Sequence, residues 1–213
     1  MTELKSVTML NDNKNKLLSD GQKNYSAAFT AVCAVALAII LALLILTSAF
    51  SMCLVSGESM MPTLTDGQYV MLSKSNDPER GDIVVFENGG RLLIKRAVAV
   101  GGDTVAFVRN ADESVTLVVN GERRTEDYIN GAMSDWSGNR YFEDEPVVYP
   151  GDEPITLGEG EYFMLGDNRD HSTDSRFKSV GVVTRDKIRG VLIAAPEKGS
   201  AGEWWLKLLF GIN

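Results

Sequence analysis

No formal charge falls between Lys23 and Glu58. Within that gap, Ala27 to Val55 is almost entirely Ala, Val, Leu, Ile, Phe and Cys. A bilayer span needs about 20 apolar residues, whereas the apolar core of a cleaved leader has only about 7–15. The run is too long for the second, so one permanent transmembrane helix is expected over residues 25–55. Thr47, Ser48 and Ser51 make its distal end polar enough to sit at the membrane interface. Cys33 and Cys53 both lie in the run; twenty helical residues hold them about 30 Å apart, so they cannot bond to each other. Lys14, Lys16 and Lys23 flank the N-terminal side, against Lys74 on the other. Cations stay on the cytoplasmic side, so the N-terminus is expected inside and the residues after Val55 outside. Residues 1–24, polar and without periodicity, read as a flexible cytoplasmic tail.

The rest of the 213-residue chain is long enough for one compact exported domain. Net charge is −8 and no basic run exceeds two residues, as at Arg123-Arg124. Phosphate binding needs clustered Lys and Arg, so no nucleic-acid partner is expected. Short β-branched runs recur at Gln68–Leu72, Asp82–Phe86, Leu92–Val100, Thr104–Val108 and Val115–Val119. They return at Tyr162–Leu165, Val180–Val183 and Ile188–Ala194. Asn120-Gly121 marks a tight hairpin turn, because both residues accept positive φ. Residues 125–155, with Trp136, Tyr141, Pro146, Tyr149, Pro150 and Pro154, read as an insertion with little regular structure. The fold class is therefore mainly β: a single membrane helix, then an exported β-rich domain in two parts, 56–103 and 161–213, around a smaller inserted β or irregular region at 104–160.

Four segments carry the chemistry. They are Ser56-Gly57-Glu58-Ser59-Met60-Met61-Pro62-Thr63-Leu64, Arg80 to Phe86, Ile94-Lys95-Arg96, and Gly166 to Arg176. A lone strand lysine ordinarily keeps its tip in water, and an Asp-Asn-Arg-Asp run is ordinarily a loop held by side-chain-to-backbone bonds. Lys95 resists the ordinary reading. It lies in Leu92-Leu93-Ile94-Lys95-Arg96-Ala97-Val98-Ala99-Val100, and alternation puts it on one face with Leu93 and Ala97. An amine on an apolar face resists protonation, because desolvation disfavours the charged form. A neutral amine is what a general base requires, and serine with lysine is a known substitute for serine with histidine.

In this order, after an N-terminal anchor, the four segments resemble the conserved boxes of type I signal peptidases, the bacterial leader peptidases. They read here as Gly57-x-Ser59-Met60-x-Pro62-Thr63, Gly81-Asp82-Ile83-Val84, Lys95-Arg96 leading to Gly102-Asp103, and Gly166-Asp167-Asn168 through Ser172-x-Asp174-Ser175-Arg176. The resemblance implies Ser59 as nucleophile and Lys95 as base. It implies Ser172 as a hydroxyl orienting the lysine, with Asp174 and Arg176 as a supporting ion pair. It also implies that Val55, Met60, Leu64, Val85 and Ile94 shape the pockets for small side chains at the cut site. Substrates would be exported preproteins, cut after small-x-small (Ala-x-Ala-like) motifs at the outer face of the plasma membrane, with membrane lipid as the other partner. Two departures stand out. Gly57 occupies a position where the best-known Gram-negative form has an oxyanion-binding serine, and Ala99 and Gly101 replace the usual Gly and Pro. Glycine at 57, a single anchor and a modest insertion resemble the Gram-positive branch.

Chain length agrees with that placement. Ser59 follows Val55 by four residues, so it stays within about 14 Å of the membrane end. Leader peptides carry small residues just after their apolar core, so the cut site emerges at that level.

The competing readings are weaker. A Ser-His-Asp hydrolase would have to use His171, the only histidine, with Ser59 and Asp167 or Asp174. Eukaryotic relatives of the family do use histidine, but in the slot that Lys95 fills here. A non-cutting peptide binder would need neither Ser59 nor Lys95, and nothing resembles the DNA-binding domain of a repressor autoprotease. One histidine and two membrane cysteines furnish no zinc site, and residues 166–176 lack calcium-loop spacing, so no metal and no cofactor is expected. Asp167, Asp170 and Asp174 read as loop-fixing groups. The final stretch, Glu203-Trp204-Trp205-Leu206-Lys207-Leu208-Leu209-Phe210, either closes the β core or rests in the outer membrane interface.

Overall fold

The computed structural model describes residues 25, 28–45, 47–129, 131–134, 148 and 152–211. The N-terminal tail, with Lys14, Lys16 and Lys23, lies outside the described residues, as do Trp136, Tyr141, Pro146, Tyr149 and Pro150.

Helix α1 spans Ala28–Ala49 and is long and apolar enough to cross a membrane, and no residue of its most apolar stretch is buried. Its 22 residues rise about 33 Å, close to the thickness of a bilayer core. The polar side chains near its end are satisfied internally. Thr47 Oγ1 donates to the Leu43 carbonyl at 3.0 Å and Ser48 Oγ to that of Ile45 at 2.8 Å. The expected helix to Val55 is too long, because Phe50–Leu54 form strand β1 instead. These residues pair antiparallel with β2, Tyr69–Ser73, in the register Phe50↔Ser73 to Leu54↔Tyr69. Composition alone could not separate the two. The decision is made by the hydrogen bonds that β2 offers.

Strands β3 (Ile83–Asn88), β4 (Arg91–Val100), β9 (Glu161–Leu165), β10 (Val183–Thr184) and β11 (Ile188–Ala194) complete a seven-stranded sheet with β1 and β2. Its order is β1-β2-β11-β3-β4-β9-β10, and every pairing is antiparallel. The long strand β4 pairs through its first half, Arg91–Arg96, with β3 and through its second half, Arg96–Val100, with β9. The expected strand at Val180–Val183 shrinks to Val183–Thr184. Val180 and Gly181 instead fold back on the Phe177 carbonyl, and Gly181 takes φ +61°.

The inserted region holds the two expected strands and adds two short ones, Glu122–Arg123 and Ile155–Thr156, that pair with them. Strands β5 (Thr104–Arg109), β6 (Val115–Val119), β7 (Glu122–Arg123) and β8 (Ile155–Thr156) form a second antiparallel sheet, ordered β7-β6-β5-β8. Asn120 and Gly121 make the expected turn, with φ +56° and +77°. Among the described residues, this sheet shares its core with the first. Val105, Phe107, Val115 and Leu117 share one apolar cluster with Val98 of β4 and Phe163 and Leu165 of β9. The rings of Phe107 and Phe163 meet with centroids 6.1 Å apart. Truncating such a buried ring costs about 3–5 kcal/mol, so the second sheet braces the strands that carry the site. A C-terminal helix, α2 (Ala201–Phe210), packs on β1 and β2.

Candidate active site

Lys95 lies in the middle of β4 opposite Val84 of β3. Leu93 and Ala97, on its face, belong to a cluster with Phe86, Tyr162 and Met164. On the other face, Ile94 belongs to a cluster with Val55, Met60, Leu64 and Val85. Both faces are therefore apolar, and only 3% of Lys95 is exposed. Burial pulls its amine down from 10.5 to about 8. The carboxylate of Asp174 opposes that fall, and the guanidinium of Arg176 adds to it.

Ser59 lies in the tight turn that follows β1, where Met61 N–H donates to the Glu58 carbonyl and Leu64 N–H to that of Met60. The turn is entered through Gly57 at φ +91°, whose N–H donates to Asp66 Oδ1 at 2.8 Å. A serine at 57 would be strained in that conformation, which accounts for glycine there. The turn brings Ser59 Oγ to 2.6 Å from Lys95 Nζ. The amine's second contact is an N–H donated to the Ile94 carbonyl at 2.9 Å. With one N–H donated to Ile94, a neutral amine can turn its lone pair to the serine hydroxyl.

The loop 166–176 closes over this pair. Asn168 N–H donates to the Ser59 carbonyl at 3.0 Å, and the Asn168 amide donates to that of Glu58 at 3.1 Å. Gly166 permits the close approach of the loop to the turn that carries Ser59. A Cβ there would fall 2.2 Å from Ser172 Oγ and 2.5 Å from the Ser59 carbonyl oxygen. Ser172 is buried; among the described residues its Oγ meets no partner at full hydrogen-bond geometry, but it lies near enough to the Asp174 carboxylate to favour its charged form. Asp174, fully buried, accepts from Gly166 N–H at 3.0 Å and from Arg176 at 2.8 and 2.9 Å. Burial alone would raise its carboxyl, but the Arg176 guanidinium, the Gly166 N–H and the Ser172 hydroxyl together hold the group below the ordinary value. Arg176 also donates to the Arg169 carbonyl at 2.6 Å, which staples the loop together.

A second layer centres on Asp167, expected as a loop-fixing group, whose partners the sequence does not reveal. Asp167, also fully buried, accepts from Arg96 Nε and Nη2 at 2.8 and 2.6 Å and from Thr63 Oγ1 at 2.5 Å. It thus ties the residue after Lys95 to the turn that holds Ser59. Arg96 also lies 3.9 Å over the ring of Tyr128, from the inserted region. Tyr128 Oη donates to Glu126 at 2.6 Å, and Glu126 forms a buried bidentate pair with Arg169 at 2.5 and 2.6 Å. Burial, then the bond to Glu126, pushes the Tyr128 hydroxyl up from its ordinary value. Arg96 and Thr63 were visible as motif neighbours of Lys95 and Ser59. Glu126 and Tyr128 carry no local pattern that marks them.

The five expected pocket residues, Val55, Met60, Leu64, Val85 and Ile94, do come together in one cluster, and all five are buried. His171 ends a short 3-10 turn, Arg169–His171, and is exposed.

A serine hydroxyl against a buried amine of lowered basicity is an arrangement for nucleophilic peptide cleavage. Family comparison decides its class, since the model for signal peptidases, peptidase S26, matches residues 28–195. The chain belongs to that family. Signal peptidase I of Bacillus licheniformis is 34% identical over 179 residues, covering 81% of this chain and 89% of the relative. Signal peptidase IB of Staphylococcus aureus is 33% identical over 144 residues, covering 64% of this chain and 72% of the relative. Among solved structures, a signal peptidase I from Enterococcus faecalis V583 is 32% identical, with a TM-score of 0.39 over 55% of this chain and 98% of the other. As a member of the signal peptidase family, the protein is a serine endopeptidase, and its matched segment runs from α1 into the residue after β11.

Proposed function

We propose that this signal peptidase removes N-terminal signal peptides from exported preproteins, with Ser59 as nucleophile and Lys95 as general base. The observation that carries the reading is the 2.6 Å contact between Lys95 Nζ and Ser59 Oγ in an apolar surround. Neutral Lys95 takes the serine proton as Oγ attacks the carbonyl of the scissile peptide bond. The resulting ammonium delivers that proton to the leaving amine, and the acyl-enzyme is then hydrolysed by water with Lys95 again as base. The Ser59 backbone N–H serves as a donor to the developing oxyanion. Gly57 offers no hydroxyl, and its N–H is already held by Asp66. Ser172 orients the ammonium once it forms, and the Asp174–Arg176 pair keeps the Ser172 loop in place.

Val55, Met60, Leu64, Val85 and Ile94 shape the pockets that admit small side chains, which selects small-x-small cut sites. The protein is a single-pass plasma-membrane enzyme with its N-terminus in the cytoplasm, and lipid is its second partner; nucleic acid is not a partner. Within the exported part, 56–103 and 161–213 form the catalytic domain and 104–160 the insertion that braces it.

The test is incubation of the purified full-length protein in detergent with a preprotein, followed by mass measurement of both products. A single cut after a small-x-small motif is expected. An intact preprotein, or cuts scattered through its mature part, would contradict the reading.

A further inference from the structure

Helix α2 is amphipathic in the wrong sense for a helix on a water-facing surface. Its ends are well defined: Ser200 Oγ accepts from Glu203 N–H at 3.3 Å, and Gly211 takes the left-handed conformation beyond Phe210. Leu206 and Glu203 turn inward and are buried, and Lys207 lies 4.6 Å over the Tyr69 ring of β2. Glu203 and Lys207 pair with each other at 3.0 Å, so the charged side chains sit on the inner face and flank. Trp204, Trp205, Leu208 and Leu209 point away, with 58%, 56%, 57% and 55% of their surface exposed. At 3.6 residues per turn these four cover an arc of about 140°. An ordinary surface helix turns its charges out and its large apolar groups in.

We infer that the outward face of α2 is a lipid-binding surface that rests in the headgroup layer of the phospholipid bilayer. The inference rests on the membrane placement proposed above and adds a second contact to it. Two observations select lipid over a protein partner. Two tryptophans side by side, with ring centroids 4.9 Å apart, combine apolar rings with N–H groups, the chemistry that favours the membrane interface. The helix also packs on β1, and β1 begins at the residue that follows α1 in the chain. Such a contact holds the catalytic domain against the surface from which the leader peptide emerges. It would lower KM for membrane-embedded preproteins and leave the chemistry at Ser59 untouched.

The experiment uses the full-length chain with Trp136→Phe, so that emission reports only Trp204 and Trp205. The protein is reconstituted into phosphatidylcholine vesicles, with or without lipid brominated close to the headgroup. Brominated lipid is expected to quench the pair at least about twofold, while aqueous iodide quenches little. Quenching by iodide but not by lipid overturns the inference. Shielding from both, with cross-linked dimers that grow with protein concentration, also overturns it and assigns the face to a second copy of the chain. As a functional arm, Trp204→Ser/Trp205→Ser/Leu208→Ser/Leu209→Ser is expected to raise KM for a vesicle-embedded preprotein about tenfold and to cut a short soluble peptide in detergent at the unaltered rate. An unchanged KM, or equal loss on both substrates, contradicts the membrane role. Failure of the unaltered enzyme to cut either substrate would count against the proposed function instead, since quenching is read without catalysis.

Discussion

Lys95 Nζ lies 2.6 Å from Ser59 Oγ, although the two residues sit on elements separated by the whole of β2 and β3. The contact places the amine where it can take the hydroxyl proton, and burial on both faces of β4 leaves that amine readily neutral.

This sets the pH dependence. Burial lowers Lys95 to about 8, and the neutral form is the base, so kcat/KM should climb with pH through that value and reach a plateau above it. Initial rates at low substrate concentration across the titration would measure it. Lys95→Arg should be inactive at every pH, because arginine stays protonated.

The same shift enters stability with a definite sign. The folded-state value lies below 10.5, so the contribution of Lys95 is complete above that pH and is lost as pH falls through about 8. Lys95→Met should therefore unfold later than the unaltered protein at neutral pH, by roughly 3 kcal/mol at most. The advantage should vanish in alkaline buffer. Denaturant unfolding in detergent at two pH values reads the difference, and an advantage that does not change with pH would show that the amine is not desolvated.

Gly166→Ala tests the close approach at the loop. The added Cβ would meet Ser172 Oγ and the Ser59 carbonyl oxygen at 2.2 and 2.5 Å, so the turn carrying the nucleophile must shift. A displacement near 1 Å costs about 10²-fold in rate, and kcat should fall by that order. Folding should survive, as judged by circular dichroism and unfolding.

Glu126 tests whether the inserted region braces the site. Glu126→Ala leaves Arg169, which is buried, without its carboxylate, and unpaired buried charges cost about 3–5 kcal/mol. Tyr128→Phe removes only one hydrogen bond and should cost about 1 kcal/mol. Equal unfolding midpoints for the two variants would show that the Glu126–Arg169 pair contributes little.

Local pattern carried most of the strands. The apolar runs at β2, β3, β4, β5, β6, β9 and β11 are bounded by turn residues, and Asn120-Gly121 marked its hairpin. What local pattern missed depends on distant partners. Phe50–Leu54 reads as the end of the apolar helix until β2 is present to pair with it. Glu126 and Tyr128 matter only because folding sets them against Arg169 and Arg96. Helix α2 is legible in its own residues: Ser200 followed by Glu203, with Gly211 beyond, is a start and stop signal for a helix. At the site, Ser59 and Lys95 stood out by motif and by the apolar neighbours of the lysine. The role of Asp167 as the link between Arg96 and Thr63 could come only from coordinates.

The pairing of Ser59 with Lys95 is tested most directly by cleavage of a preprotein with Ser59→Ala, Lys95→Ala, the double variant and His171→Ala. Each of the first two should lose at least about 10²–10⁴-fold in kcat, and the double variant should be little worse than either, because the two groups act as one unit. His171 is exposed, and its replacement should leave the rate within about twofold of the unaltered enzyme. Normal cleavage by Lys95→Ala, together with an inactive His171→Ala, would contradict the serine-lysine mechanism.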